Sequence, residues 1–252
     1  MLIGVIVLKV FYGNQVMPSI SIGIAVLNGA SHIRGLLEGL KSQYSGEMQI
    51  IILDGGSTDG TQAIIKEYID IVSHYESKPD GGIYDAYNSI RGIASGDYLL
   101  YLGCDDRYVF GKLKDINLFL NRDFIYYGNV LMTKRGNIYD GHFSKFKMIR
   151  KNICHQSIFY PRLVYKKFSY DLSYPALSDY EYNLRLISKG YKFIHFDHLV
   201  TIFSNGGLSS RGDEVFDNNK FNIVLNYFGV PYAIYFIVYK VIRVFFRKYF
   251  SR

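Results

Sequence analysis

From Ser19 onward, short apolar runs rich in β-branched residues alternate with stretches whose apolar positions recur every three or four residues. The first pattern predicts strands and the second amphipathic helices. Ser19–Leu27 reads as a strand, Ser31–Gln43 as a helix, Met48–Leu53 as a strand, and Thr58–Tyr68 as a helix capped by Ser57 or Thr58. Ile71–Tyr75 is a short strand, Tyr84–Ala94 a helix and Asp97–Leu102 an apolar strand. Alternation at this spacing predicts βαβ units and a mainly parallel, doubly wound sheet. Ligands of such sheets bind at the carboxyl ends of the strands. Three segments therefore draw attention: Asn28, Asp54–Gly60 and Gly103–Asp106, because each follows a strand.

The second half is less regular. Phe124–Asn129 is a further strand, a hairpin is expected near Arg135-Gly136-Asn137, Ser178–Ser188 is a helix, and strands follow at Tyr191–Phe196 and Leu199–Phe203. After Gly229-Val230-Pro231 the chain runs apolar to Tyr239 and then mixes bases with aromatics. On a helix, Tyr235, Val238, Ile242, Phe245, Phe246 and Tyr249 form one stripe, with Lys240, Arg243 and Arg247 on the opposite side. Two uses of that stripe stay open: lying on an anionic cytoplasmic leaflet, or packing on the globular domain. The expected organisation is residues 1–16 as an N-terminal extension, 17–228 as one globular domain and 229–252 as a basic amphipathic helix.

Charge sharpens this division. The 252-residue chain carries 29 Lys+Arg against 22 Asp+Glu, a net +7. Six of those charges (Lys220, Lys240, Arg243, Arg247, Lys248, Arg252) lie in an acid-free stretch from Asn218 to the end, so +1 remains for everything before it. A membrane surface, rather than a nucleic acid, fits that distribution. The opening apolar run, Met1–Leu8, is far short of the roughly 20 residues that span a bilayer. It also lacks the basic start and cleavage site of a signal peptide, so no secretion is expected. Two cysteines, Cys104 and Cys154, cannot build a disulfide framework, and a reducing cytoplasm is the expected compartment. Tyr (24) and Phe (18) are abundant; the surplus suits sugar stacking, and a biased codon usage explains it equally well.

Candidate chemistry gathers at the strand ends. Asp105 and Asp106 are adjacent carboxylates after a buried strand, a pair that repels unless a cation joins it; a solvated acidic turn is the plain alternative. Lys78-Pro79-Asp80-Gly81-Gly82-Ile83-Tyr84-Asp85-Ala86-Tyr87-Asn88 and Asp54-Gly55-Gly56-Ser57-Thr58-Asp59-Gly60-Thr61 are strand-turn-helix segments offering backbone N–H groups near the same edge. These are followed by Ala94-Ser95-Gly96-Asp97-Tyr98, Tyr127-Gly128-Asn129, His155-Gln156, Asp179-Tyr180-Glu181 and Gly206-Gly207-Leu208-Ser209.

The ordered set, covering roughly Ser19 to Ser210, resembles glycosyltransferase family 2. Within it, the chain is similar to the bacterial surface-polysaccharide members of colanic acid and O-antigen type. The resemblance implies an α/β GT-A (nucleotide-diphospho-sugar transferase) fold with a doubly wound, mixed, mainly parallel sheet. It also implies an inverting, metal-dependent transfer of sugar from a nucleotide-diphosphate sugar to a glycan acceptor, lipid-linked in this subgroup. By the same resemblance Asp54 helps bind the base, while Asn28, Asp85 and Asn88 line the donor site. Asp105 and Asp106 contact the ribose and the diphosphate-bound Mn²⁺ or Mg²⁺, and Asp179 is the catalytic base. His155, Gln156 and Glu181 line the acceptor side. Two positions depart from the family pattern. Gly103 stands where an acid or Asn often opens the metal motif, and Gly55 where many relatives carry a second Asp. The departures shift the expected metal contact mainly onto Asp106. Two rivals remain: a nucleotidyltransferase of related architecture, and a non-catalytic scaffold at the membrane.

Overall fold

The computed structural model describes residues 19–44, 46, 48–109, 121–133, 136–139, 141–203 and 212–250. The expected N-terminal extension, the Gly206–Ser209 motif and Arg252 lie outside them. The first half forms strands β1 (Ile20–Val26), β2 (Met48–Asp54), β3 (His74–Ser77) and β4 (Tyr98–Gly103), interleaved with helices α1 (Ile33–Gln43), α2 (Thr61–Lys66) and α3 (Ile83–Ile93). Next come β5 (Arg107–Tyr108), β6 (Ile125–Met132), β7 (Asn137–Tyr139), α4 (Lys145–Arg150), a 3₁₀ turn at His155–Ser157, β8 (Ile158–Pro161) and α5 (Arg162–Tyr165). The last elements are α6 (Ser178–Ser188), β9 (Phe193–Phe203), α7 (Glu214–Phe228) and α8 (Val230–Phe250).

The sheet runs β3-β2-β1-β4-β8-β6-β9-β5, with β7 also paired to β6. β3, β2, β1 and β4 are mutually parallel, whereas β8 is antiparallel to both β4 and β6. The mixed, mainly parallel α/β sheet expected from the alternating pattern is the observed one. Successive side chains of each strand point to opposite faces, and the apolar sets divide accordingly. Ile20, Ile22, Ile24, Ile50, Ile52, Leu100 and Leu102 pack with Leu36, Leu37 and Leu40 of α1 on one face. On the other, Ile51, Leu53, Leu99 and Tyr101 pack with Tyr87 and Ile90 of α3 and with α6 and α7.

Differences from the sequence reading have local causes. α2 starts at Thr61 because Gly60 is left-handed (φ 99°), and the N-terminal carboxylate is that of Asp59, which accepts from Thr61 N (3.1 Å), rather than a Ser57 or Thr58 cap. β3 is displaced toward the C-terminus because residues after α2 continue in turns as far as Ile71 N→Tyr68 O and Val72 N→Ile69 O. The two strands expected at 191–203 are one strand, β9, whose pairing with β6 shifts register around Asn129. At that bulge Asn129 Nδ2 donates to Asp197 Oδ1 (2.8 Å), and its Oδ1 meets His195 Nε2 at 2.7 Å. The hairpin closes near Gly136 (φ 60°), with β7 antiparallel to the end of β6.

The Ser95-Gly96-Asp97 segment holds strands together. Gln49 Oε1 accepts from Ser95 N (2.8 Å) and Ser21 Oγ (2.6 Å), Gly96 N donates to Ser21 Oγ (2.8 Å), and Asp97 Oδ2 accepts from Ser19 N (2.9 Å). A Cβ on Gly96 would stand 2.5 Å from Ser21 N and 2.8 Å from the Ile20 carbonyl carbon. Because backbone cannot yield as a side chain can, Gly96→Ala should destabilise the fold by about 2 kcal/mol. That lowers Tm by about 4–8 °C in a chain of this size. An unchanged Tm in a thermal melt would show that the strand packing relaxes freely there.

Candidate active site

Register brings the acidic loops to one edge. Val26 of β1 pairs with Asp54 of β2, and Ala25 with Gly103 of β4, so the segments after all three strands emerge side by side. The first two loops interlock. Asn28, left-handed at φ 51°, accepts from Thr58 N through Oδ1 (3.0 Å) and donates its own N–H to Ser57 Oγ (2.7 Å). Gly29 N donates to Thr61 Oγ1 (2.9 Å) and Ala30 N to Asp59 Oδ2 (3.0 Å). Asn28 thus spends its side-chain carbonyl on shaping the loop expected to bind the donor.

Asp54 is buried and accepts from Ser57 N (3.0 Å), the Ser57 hydroxyl and Ser77 Oγ (2.6 Å). It shares a small cleft of about 50 Å³ with Glu76, Lys78, Asp80 and Asp85. Asp85 Oδ2 accepts from Gly81 N (2.9 Å), tying the turn before α3. The Gly55 departure has a steric reading: a Cβ there would lie 3.2 Å from Asp80 Oδ2, so an acid at 55 would abut an acid at 80. Asn88, expected in the donor site, is turned away from it. Its amide donates to Tyr170 O (3.0 Å) and accepts from Tyr170 N (2.8 Å), using both ends on backbone.

A larger cavity of about 260 Å³ is lined by Gly103, Asp105, His155, Gln156 and Asp179, with Tyr84 and Asn152 beside Asp179. Its remaining wall includes Met132 of β6, Tyr139 of β7 and Phe203 of β9. Asp105 reaches this cavity, whereas Asp106 is 1% exposed behind it, with Oδ2 accepting from Gly103 N (2.7 Å). A Cβ on Gly103 would fall 2.9 Å from Asp105 Oδ1 and 3.2 Å from Asp106 Oδ2, so glycine is what lets both carboxylates fold over this turn. Burial pushes the Asp106 carboxyl up to about 8, with Asp105 adding to the rise and the Gly103 N–H and Gln156 amide opposing it.

The residues present fit a divalent cation held jointly with phosphate. Asp106 Oδ1 is buried without a hydrogen-bond partner beside a second carboxylate. Among the described residues no group of three or more His, Cys, Asp or Glu could hold a metal alone. Mg²⁺-type sites commonly combine one or two carboxylates with substrate phosphates and water. Asp106 and Asp105 supply that pair, with Asp105 the one facing the cavity.

Asp179 lies in the first turn of α6, where the helix N-terminus favours negative charge. Tyr84 Oη donates to its Oδ1 (2.8 Å) and Asn152 Nδ2 to its Oδ2 (2.8 Å). Behind Asn152, Asn183 Nδ2 donates to Asn152 Oδ1 (2.9 Å), and Tyr160 Oη donates to Asn183 Oδ1 (2.8 Å). Burial raises the Asp179 carboxyl to about 6 despite these donors. His155 lines the cavity as a neutral ring: burial lowers its pKa to about 3, Nε2 meets Tyr170 Oη at 2.9 Å, and the ring stacks on Tyr101. Gln156 Oε1 accepts from Cys154 Sγ (3.1 Å).

Glu181 does not join the cavity. Two residues past Asp179 a helix has turned by about 200°. Glu181 accordingly accepts from the Tyr227 hydroxyl of α7 and pairs with Arg185 Nε at 3.2 Å. The expected acceptor-side role is corrected to a contact between α6 and α7. The sequence does not reveal Tyr84 and Asn152 as partners of Asp179, or Asn183 as the partner of Asn152. Tyr84 stood inside the Lys78–Asn88 motif and Asn152 three residues before His155, but nothing local to Asn183 marks it.

The family described as "Glycosyl transferase family 2" matches residues 21–190, more than half of the chain. The chain belongs to glycosyltransferase family 2. A PGL/p-HBAD biosynthesis glycosyltransferase of Mycobacterium bovis is 32% identical over 206 residues, 77% of this chain and 80% of that protein. Among solved structures, Staphylococcus aureus TarS 1-349 in complex with UDP-GlcNAc superposes with TM-score 0.62 at 17% identity, covering 82% of this chain and 67% of that one. The Pyrobaculum calidifontis mannosyltransferase PcManGT, in complex with GDP-Man and Mn²⁺, gives TM-score 0.62 at 13% identity, covering 85% of this chain and 64% of that one. The family-2 chain spans 42% of the longer TarS chain. It is a family-2 glycosyltransferase with a GT-A-type fold.

In this family-2 enzyme the two donors on Asp179 stabilise its charged form, so removing either raises its pKa further. Were Asp179 the general base, it would have to be deprotonated to act, and activity would fall about tenfold per unit below pH about 6. Asn152→Leu and Tyr84→Phe should each move that acidic limb to higher pH. Profiles of kcat/KM against pH test it; a limb that stays in place in both variants would separate these residues from the base.

Proposed function

We propose that this chain transfers a sugar, with inversion, from a nucleoside diphosphate sugar to a hydroxyl of a lipid-linked glycan. The step belongs to bacterial surface-polysaccharide assembly at the cytoplasmic face of the membrane. One observation carries the reading: Asp105 and a high-pKa Asp179 line a single cavity at the carboxyl edge of the parallel strands. The nucleotide sugars in complex with two structural neighbours, UDP-GlcNAc with TarS and GDP-Man with PcManGT, support the donor class. The mycobacterial relative's name, from PGL/p-HBAD biosynthesis, supports an acceptor outside simple free sugars.

Asp54, in its cleft with Asp85, accepts the base, and Asp105 faces the ribose and diphosphate. A Mn²⁺ or Mg²⁺ held by Asp106, Asp105 and the diphosphate would neutralise charge on the leaving group. Asp179 accepts the proton of the acceptor hydroxyl as that oxygen bonds to the anomeric carbon. The bond from that carbon to the diphosphate oxygen breaks, and its electron pair departs with the nucleoside diphosphate. Attack from the base's side, opposite the leaving group, inverts the centre in one displacement. Tyr84 and Asn152 hold the carboxylate during the transfer, and His155, neutral and stacked, walls the cavity without exchanging a proton.

Incubation with UDP-, GDP- and dTDP-sugars, Mn²⁺ and polyprenyl-diphosphate-linked glycans should release nucleoside diphosphate with one donor. Asp179→Asn and Asp106→Asn should each lower that release by roughly 10²–10⁴-fold, the second also weakening donor binding. Pyrophosphate release would instead identify a nucleotidyltransferase, and silence with every donor a scaffold. Full activity in either variant would remove its assigned role.

A further inference from the structure

The C-terminal helix has two apolar sides, and the domain covers only one. α8 spans Val230–Phe250, about 31 Å at 1.5 Å per residue. Ala233 and Phe236 are buried (3% and 4% exposed), and Tyr232 and Tyr235 pack on Phe146 of α4 with ring centroids 5.0 and 4.9 Å apart. Lys220 of α7 fastens the same side: its Nζ lies 4.2 Å from the Tyr180 ring of α6 and 5.5 Å from the Phe236 ring. Of the stripe read from the sequence, Tyr235 thus packs on the domain.

The outward side holds Ile234, Ile237, Val238, Val241, Phe245 and Tyr249, each 47–63% exposed. At 100° per residue they fall within an arc of about 120° along the whole helix. No described helix is long and apolar enough to cross a membrane. The helix carries exposed Lys240, Arg243 and Lys248, and Arg150 of α4 stacks on Tyr239 at 5.4 Å, with no acid from Asn218 onward.

We infer that the outward face of α8 docks on an anionic lipid surface, its apolar stripe in the acyl boundary and Lys248, within the stripe's arc, on the headgroups, while Lys240 and Arg243 on the far side add longer-range attraction. Charge selects this occupant: an acid-free, basic helix is attracted to anionic headgroups and repels its own copy. The placement suits a lipid-linked acceptor, and in that respect rests on the proposed function. Phe146, against α8, is six residues from Asn152, which bonds Asp179. Six residues reach at most about 22 Å, which sets the seat of α8 within that span of Asn152.

The test is sedimentation of the full chain with vesicles of phosphatidylcholine, or of an equal mixture with phosphatidylglycerol. The wild type should sediment with the mixed vesicles and be partly released by salt. Val241→Glu with Phe245→Glu, on exposed positions, should lower binding by roughly tenfold or more, with Tm and nucleoside diphosphate release on a soluble acceptor unchanged. Lys240→Glu with Arg243→Glu should weaken binding to the mixed vesicles only. Undiminished binding of the first variant would overturn the inference, as would a concentration-dependent dimer, seen by ultracentrifugation, that the same substitutions dissolve. Vesicle binding is read without any donor, so its failure is separate from a failure of the catalytic reading.

Discussion

Three parallel strands in fixed register determine where this enzyme's charges meet. Ala25 lies between Leu53 and Gly103, and this pairing ends β1, β2 and β4 at one level. A one-residue slip would turn the isoleucines of β1 and β2 from one core to the other, so burial on both faces locks the register. The loops beyond the strands inherit it. Asn28, Ser57 and Thr61 tie the first two together, and Gly103 lets the Asp pair of the third fold tightly on its own N–H. Glycines at 96 and 128 serve the same frame at places where a side chain would strike neighbouring backbone.

The frame desolvates carboxylates. Asp54 is satisfied by two serines, Asp179 by a tyrosine and an asparagine, and Asp106 only half satisfied. These differences sort the acids by chemistry. Burial raises Asp179 to about 6 although both its oxygens are hydrogen-bonded, and raises Asp106, with one orphan oxygen, to about 8. His155, kept neutral by burial among tyrosines, lines the same cavity.

Continuous apolar, β-branched runs made β1, β2 and β4 legible because both their faces are buried, and the 3.6-residue recurrence did the same for α1 and α3, each of which buries one face. Less was legible where geometry depends on partners distant in sequence. β9 reads as two strands because its bulge is set by β6, and α2 starts late because of one left-handed glycine. Among the site residues, Asp105, Asp179, His155 and Gln156 do converge on one cavity. Asn88 and Glu181 do not, and the sequence motif alone cannot distinguish a side chain bonded to backbone from one facing a ligand. The Tyr160–Asn183–Asn152 chain behind Asp179 spans elements far apart in sequence and leaves no local signature.

Burial in this fold raises the proton affinity of Asp179 into the range suited to a general base near neutral pH. Titration of its carboxyl carbon by ¹³C NMR, assigned by comparison with Asp179→Asn, reads this directly and needs no donor or acceptor. The account predicts an apparent pKa of about 6. A midpoint near the ordinary aspartate value of about 4 would contradict it.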